Sequence, residues 1–89
     1  MEKHTTNDYG KHLCPCCKYF TLSQPGADTR ETCDVCYWEN NAAQTADREL
    51  VLPPNAVSLN QARRNFRKFG ACSDLARASV RPPRPDELP

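Results

Sequence analysis

The stretch "HLCPCCKYF", residues 12–20, places three cysteines within four positions, and "TCDVCYW", residues 32–38, adds a second pair. Cys14 and Cys17 have the spacing C-x2-C, which the second pair repeats fifteen residues later. A two-residue gap allows one tight turn to direct both sulfurs at a single point, and two such turns supply the four thiolates of a tetrahedral zinc shell. The sequence therefore predicts a Zn²⁺ site, with iron in the same ligand set as the alternative metal. The predicted ligands are Cys14, Cys17, Cys33 and Cys36.

Three further residues are alternative ligands, namely Cys16, Cys72 and His12. Cys16 would form a C-x-C grip with Cys14, but the C-x2-C register matches the second pair better, so we expect Cys16 to lie beside the metal without binding it. A thiol close to a metal and to Lys18 would acquire a lowered pKa, which leaves a redox role as a less favoured hypothesis. Cys72 is expected to be a small buried side chain, and His12 a solvated one.

A closed shell of four sulfurs leaves no coordination position for water or substrate, so we expect a structural site and no enzymatic activity. With 89 residues, of which 38% are hydrophobic, the chain has a small core that a metal would supplement. Neither an export signal nor a membrane-spanning segment is recognisable, which predicts a cytoplasmic protein without membrane contact. In a reducing compartment paired cysteines are typical metal ligands rather than disulfides.

The segment "SLNQARRNFRKFG", residues 58–70, predicts a helix over residues 58–69. Ser58 and Gln61 have the spacing of a capping box, and Gly70 is the expected left-handed stop. One side of the helix is apolar, and it carries Leu59, Ala62, Phe66 and Phe69. The opposite side is basic and is a candidate interaction surface, formed by Arg63, Arg64, Arg67 and Lys68.

The remaining segments predict an α+β fold, a small zinc-ribbon-like β-hairpin with two cysteine knuckles packed on one amphipathic helix. "KYFTL" (18–22) and "TRET" (29–32) are expected to pair across the turn at Pro25-Gly26. A short helix is possible over residues 42–50. The predicted divisions are a flexible N-terminal tail (1–12), the domain (13–80) and a proline-rich, unpacked C-terminal tail (81–89).

The net charge of +1 conceals an uneven distribution. Residues 28–50 contain six acidic residues and two arginines, a balance of −4, whereas residues 63–84 contain seven basic residues and one aspartate, a balance of +6. The pI of about 7.6 lies below the value above about 9 that is typical of nucleic-acid-binding domains.

With "CPCC", "CDVCYWE", "SLNQARRNFRKFGAC" and "VRPPRPDE" in this order, the chain resembles the cysteine-rich CPCC family of small bacterial proteins over residues 13–87. The resemblance implies a module in which the CPCC knuckle, the second C-x2-C with its aromatic residues and the helix form one unit. The family pattern has two aspartates where this chain has Asn40 and Asn41, and a glycine where it has Lys18. These departures argue against a second, acidic metal site.

The expected function is that of a non-enzymatic zinc-binding module that binds another protein, as an adaptor, a regulator or an immunity-type partner. Nucleic-acid binding through the basic helix side is the alternative. Tyr37 and Trp38 are expected to pack over the metal site and against Phe66 and Phe69; if exposed, they would be anchors for a partner.

Overall fold

Residues 6–89 are described by a computed structural model of the chain, and its regular elements are short. They are strands β1 (His12–Leu13) and β2 (Phe20–Leu22), helices α1 (Ala42–Ala46) and α2 (Leu59–Phe69), and two 3₁₀ helices, Asp74–Ala78 and Pro85–Glu87. An antiparallel strand pair combined with helices gives the predicted α+β class. Across this part of the chain, no helix has the length and apolar character needed to cross a bilayer.

The two strands pair across the first cysteine cluster. His12 is opposite Leu22 and Leu13 is opposite Phe20, with an irregularity in the register between the two positions of β1. The predicted pairing of residues 18–22 with residues 29–32 is therefore wrong. Thr32 instead forms an isolated antiparallel bridge with Glu39. Each cysteine pair thus lies in a hairpin turn of its own, which closes by short-range contacts.

The loop between the two hairpins is closed by a side chain rather than by a β-ladder. The Glu31 carboxylate accepts hydrogen bonds from the backbone N–H groups of Ser23, at 2.8 and 2.9 Å, and of Gln24. Residues 30 and 31 are in turn hydrogen-bonded to Asn40 through their backbones. These backbone groups already have hydrogen-bond partners, so they are not available to pair with β2.

Helix α2 begins and ends where the sequence predicts. The Ser58 hydroxyl accepts a hydrogen bond from the Gln61 N–H at 3.1 Å, and Gly70 ends the helix with φ of 81°, in the left-handed region. The reciprocal half of the capping box is not formed, because the Gln61 carboxamide oxygen accepts from Arg64 at 2.8 Å and its NH2 group donates to Asn65. On the apolar side, residues 59 and 62 are buried and the two phenylalanines are half-buried against the core.

Helix α1 is shorter than the predicted 42–50 and is anchored by buried amides. Asn41 caps it by accepting from the Gln44 N–H at 2.9 Å. The Gln44 side chain donates to the carbonyls of Leu50 and Val57, and Asn55 donates to its carbonyl oxygen. The helix stops at Ala46 because the next residue, an aspartate, forms a turn with the backbone of residues 49 and 50.

The C-terminal segment, predicted to be an unpacked tail, contacts the domain at Arg81 and Glu87, while Pro82, Arg84, Pro85 and Leu88 are exposed. Glu87 is only 1% exposed, and its two carboxylate oxygens each accept from the Arg81 guanidinium at 2.8 Å. The backbone N–H groups of Arg84 and Arg81 donate to Glu87 and to the Asp34 carbonyl. Four prolines limit backbone hydrogen bonding here, and a buried ion pair replaces it.

The predicted N-terminal tail is also structured where it is described. Residues 1–5 lie outside the described residues. From Thr6 onward, the Asn7 carboxamide accepts from the N–H groups of Tyr9 and Lys11 and donates to the Asp86 carbonyl at 2.7 Å. Residues 6–12 therefore form a turn that contacts the C-terminal segment.

Candidate metal centre

Four cysteine sulfurs form a compact cluster in the interior of the protein. Their Sγ atoms all lie within 4.8 Å of one another, and the closest pairs are Cys14 with Cys36 at 3.6 Å and Cys17 with Cys33 at 3.7 Å. Zinc bound to thiolates at about 2.3 Å in a tetrahedron separates the sulfurs by about 3.8 Å. The donor set and its spacing therefore fit a tetrahedral metal ion. All six cysteines of the chain are free of disulfides.

The two knuckles repeat one backbone arrangement. In the first, the Cys14 N–H donates to the Tyr19 carbonyl at 2.9 Å and the Lys18 N–H donates to the Cys14 carbonyl at 3.0 Å. In the second, the corresponding bonds join Cys33 with Trp38 at 2.9 Å and residue 37 with Cys33 at 2.7 Å. Identical spacing therefore produces two equivalent turns, each of which presents two sulfurs to the same point.

Each turn requires a left-handed residue directly after its second cysteine. Lys18 has φ of 67° and Tyr37 has φ of 71°, in the region that favours glycine. Lys18 stands where the resemblance implies a glycine, so the knuckle geometry explains that preference. A side chain at this position costs about 1 kcal/mol or slightly more of backbone strain.

Substitutions at Lys18 should therefore change the stability of the fold in a predictable direction. We expect Lys18→Gly to be more stable than Lys18→Ala by about 1 kcal/mol, because both variants lose the side-chain contacts but only glycine relieves the strain. Thermal denaturation of the two metal-loaded variants measures the difference. At Arg64 in the middle of α2 the same pair of substitutions should show the opposite order, since glycine weakens a helix interior. Equal stability of the two Lys18 variants would contradict the argument.

The electrostatics of the cluster favour a bound cation. Hydrogen bonding within the cluster, chiefly with Cys14, holds the pKa of Cys33 far below its ordinary value. The same interactions raise the pKa of Cys17 and Cys36 far above theirs, and burial raises both further. Four thiolates whose sulfurs all lie within 4.8 Å of one another would repel strongly without a counter-charge. A divalent cation supplies the positive charge that allows all four sulfurs to ionise.

Neighbouring groups hold the ligands in place. The Thr21 hydroxyl donates to the Cys33 sulfur at 2.9 Å. The Cys72 N–H donates to the Cys36 carbonyl at 2.8 Å, which ties the second knuckle to the segment after α2. From α2, the Arg63 Nε–H donates to the Pro15 carbonyl at 2.8 Å, inside the first knuckle. Such contacts orient the ligands of a metal site and restrict their movement.

The three alternative ligands lie outside the cluster of four sulfurs. Cys16 is buried in the core beside it, at 4% exposure. Burial raises the pKa of Cys72 to about 12, so this thiol is neutral near pH 7. His12 lies in β1, where its Nδ1 is hydrogen-bonded to the Thr6 hydroxyl at 3.1 Å.

The two aromatic residues of the second knuckle differ in exposure, and so do the four basic residues of α2. Trp38 is fully buried, as expected, whereas Tyr37 is 46% exposed, so the expectation that both pack in the core is wrong for Tyr37. Arg63 is half-buried against the first knuckle and does not belong to the exposed basic surface.

Two residues that contact the site could not be identified from the sequence. Thr21 belongs to a predicted strand and Arg63 to the predicted basic side of the helix, and no motif indicates that either residue contacts the knuckles. The available signal was indirect: Thr21 lies four residues after Cys17 on the strand that leaves the first knuckle. The Arg63 contact joins residues 48 positions apart, which local spacing does not reveal.

A family model matches the chain, whereas the curated proteins do not. None of the curated proteins compared with the chain matches it. The family model described as "Cysteine-rich CPCC" matches residues 12–87, a range that contains all four clustered cysteines, α2 and the packed C-terminal segment. The chain therefore belongs to the cysteine-rich CPCC family.

Proposed function

We propose that the protein is a small non-enzymatic module in which one structural zinc ion joins the two knuckles, and that it acts by binding another protein. The observation that carries this proposal is the cluster of four buried sulfurs, whose residues are between 0% and 8% exposed. A shell of four thiolates is complete for zinc, so no position is left at which water or a substrate could bind. A stabilising role follows from that chemistry.

The size of the protein supports a stabilising metal. The largest fully buried apolar side chains of the described residues are Trp38, Leu22, Leu59 and Val35, a small set for a chain of this length. Domains of this size gain only a few kcal/mol from an apolar core, and a structural zinc ion contributes about 10 kcal/mol or more. Without the metal, the four buried sulfurs would have weak hydrogen bonds, to one another and from Thr21, in place of metal–sulfur bonds.

Metal removal tests the first half of the proposal. We expect one zinc ion per chain in the purified protein by elemental analysis. A strong chelator should then abolish the helical circular dichroism signal, because the metal–sulfur bonds that join the two knuckles are lost. Iron in the site would be distinguished by its visible absorption. A spectrum that survives complete removal of the metal would contradict the structural role.

Binding to a protein partner is tested with the zinc-loaded protein as bait. A nuclease-treated extract of the source cell is used, with the Cys33→Ser variant as the unfolded control. A partner that is recovered only by the folded bait, and that binds again after separate purification, would support an adaptor, regulatory or immunity-type role. Recovery of nucleic acid alone from an untreated extract would instead favour the nucleic-acid alternative. The observation behind that alternative is the row of exposed cations on α2.

A further inference from the structure

Most ion pairs of the described residues are formed away from α2. Lys11 contacts Asp86, Arg30 contacts Asp28 and Glu39, Arg77 contacts Asp74, and Arg81 contacts Glu87 and Asp34. Further carboxylates are held by other groups, such as Glu31 by backbone N–H groups and Glu49 by the Asn60 side chain. None of these ion pairs involves a cation of α2.

The outer side of α2 carries three neighbouring cations without an ion pair. Arg64, Arg67 and Lys68 are exposed, and within residues 6–89 none of them lies within ion-pair distance of a carboxylate. Arg64 donates to the neutral Gln61 side chain, which leaves its charge unbalanced. Residues three and four apart share one helix face, so the three cations project from about 6 Å of helix axis. We call Arg64, Arg67 and Lys68 the basic face.

The basic face is short, and a carboxylate lies near one end of it. Asn60 lies one turn before Arg64 on the same side of the helix, and its side chain is bonded to Glu49 at 2.9 Å. A nucleic-acid strand needs a longer track, because its phosphates continue past the three cations toward this carboxylate. Two or three carboxylates of a peptide fit the available length.

The aromatic rings of α2 do not offer platforms for bases. The Arg77 guanidinium covers the Phe69 ring at 5.0 Å from its centroid, and Phe66 packs edge-to-face against Tyr19. Binding of single-stranded nucleic acid typically combines cations with free ring faces on which bases stack. Cations without such faces favour a partner that is recognised by charge alone.

We infer that the basic face docks an acidic segment of another protein, so that Arg64, Arg67 and Lys68 pair with its carboxylates. The inference rests on the proposed function, since it names the chemistry of the partner. Charge complementarity of this kind mainly accelerates association and selects the partner, and it weakens with salt.

The test uses a short peptide of glutamate and serine, and a glutamine analogue of the same length, titrated into zinc-loaded protein at low salt. We expect the acidic peptide to shift backbone amide NMR signals of residues 60–70, and we expect the glutamine analogue to leave them unchanged. Arg64→Glu with Lys68→Glu should weaken binding about tenfold or more. The matched control is Arg30→Glu with Arg84→Glu, which changes the net charge equally and should retain binding.

Three results would overturn the inference. They are equal losses in the two double variants, shifts located outside α2, or an oligothymidylate that binds the same face more tightly than the acidic peptide. Metal content and circular dichroism are measured on the same samples. A protein that holds zinc and stays folded but ignores the peptide refutes only the acidic partner, whereas a protein without metal refutes the proposed function itself.

Discussion

Cys33→Ser is expected to abolish the folded state at room temperature, whereas Cys16→Ser is expected to leave a folded protein with one zinc ion. Cys33 belongs to the cluster of four sulfurs, and its sulfur accepts a hydrogen bond from the Thr21 hydroxyl. Cys16 lies outside the cluster. Loss of one ligand removes most of a contribution of about 10 kcal/mol, which approaches or exceeds the whole stability of an ordinary small domain. Serine at a buried non-ligand position costs only about 1–2 kcal/mol.

Native mass spectrometry and thermal denaturation measure the two quantities. Cys72→Ser serves as a second control, because Cys72 is equally buried and also lies outside the cluster. If Cys16→Ser lost its metal as readily as Cys33→Ser, Cys16 would be a ligand and the C-x2-C reading of the first knuckle would fail. If both controls lost the fold but retained zinc, the core would depend on thiol packing more than we argue.

The sequence was informative wherever local spacing determines structure. Two C-x2-C turns put four sulfurs in reach of one point because each turn is fixed by bonds between residues four or five apart. Helix α2 could be bounded to within one residue, since Ser58 and Gly70 act on their immediate neighbours. The family resemblance pointed in the same direction.

The sequence was misleading wherever distant residues compete for the same backbone groups. Residues 18–22 and 29–32 both have strand character, but pairing between them would compete with the shorter-range closure of each knuckle. The Glu31 carboxylate then accepts the backbone N–H of Ser23, in the loop that was expected to be a hairpin turn. Composition alone does not show which of two compatible pairings forms.

The C-terminal segment shows a second limit. Four prolines in "VRPPRPDELP" predict an extended chain, whereas residues 85–87 form a short 3₁₀ helix and residues 80–84 have no regular secondary structure. Whether such a chain is free or packed depends on Arg81 and Glu87, which look like ordinary surface charges in the sequence. Their pairing, with Glu87 buried, becomes visible only in three dimensions.

Glu87→Gln is expected to destabilise the protein by about 2–3 kcal/mol near neutral pH. The substitution keeps the size of the side chain but removes the charge that accepts two bonds from Arg81 and one from the Arg84 N–H. Hydrogen bonds to a buried charged group contribute about 1.5–3 kcal/mol, and a guanidinium left without its main partner adds a penalty. Glu49→Gln is the matched control, because Glu49 is exposed and its loss should change stability by less than about 0.5 kcal/mol.

Acid should remove the difference in stability between the wild type and Glu87→Gln. Hydrogen bonding from Arg81 holds the pKa of Glu87 below its usual range. A carboxylate with a lowered folded pKa stabilises the protein fully above its unfolded pKa of about 4.3, and the contribution is lost as the pH falls through the folded value. Acid also releases zinc from both proteins, so the two are compared by thermal denaturation down to the lowest pH at which both retain the metal. A constant difference throughout the acid range would show that the substitution acts through packing, because a protonated Glu87 would then stabilise the protein as well as the ionised form does.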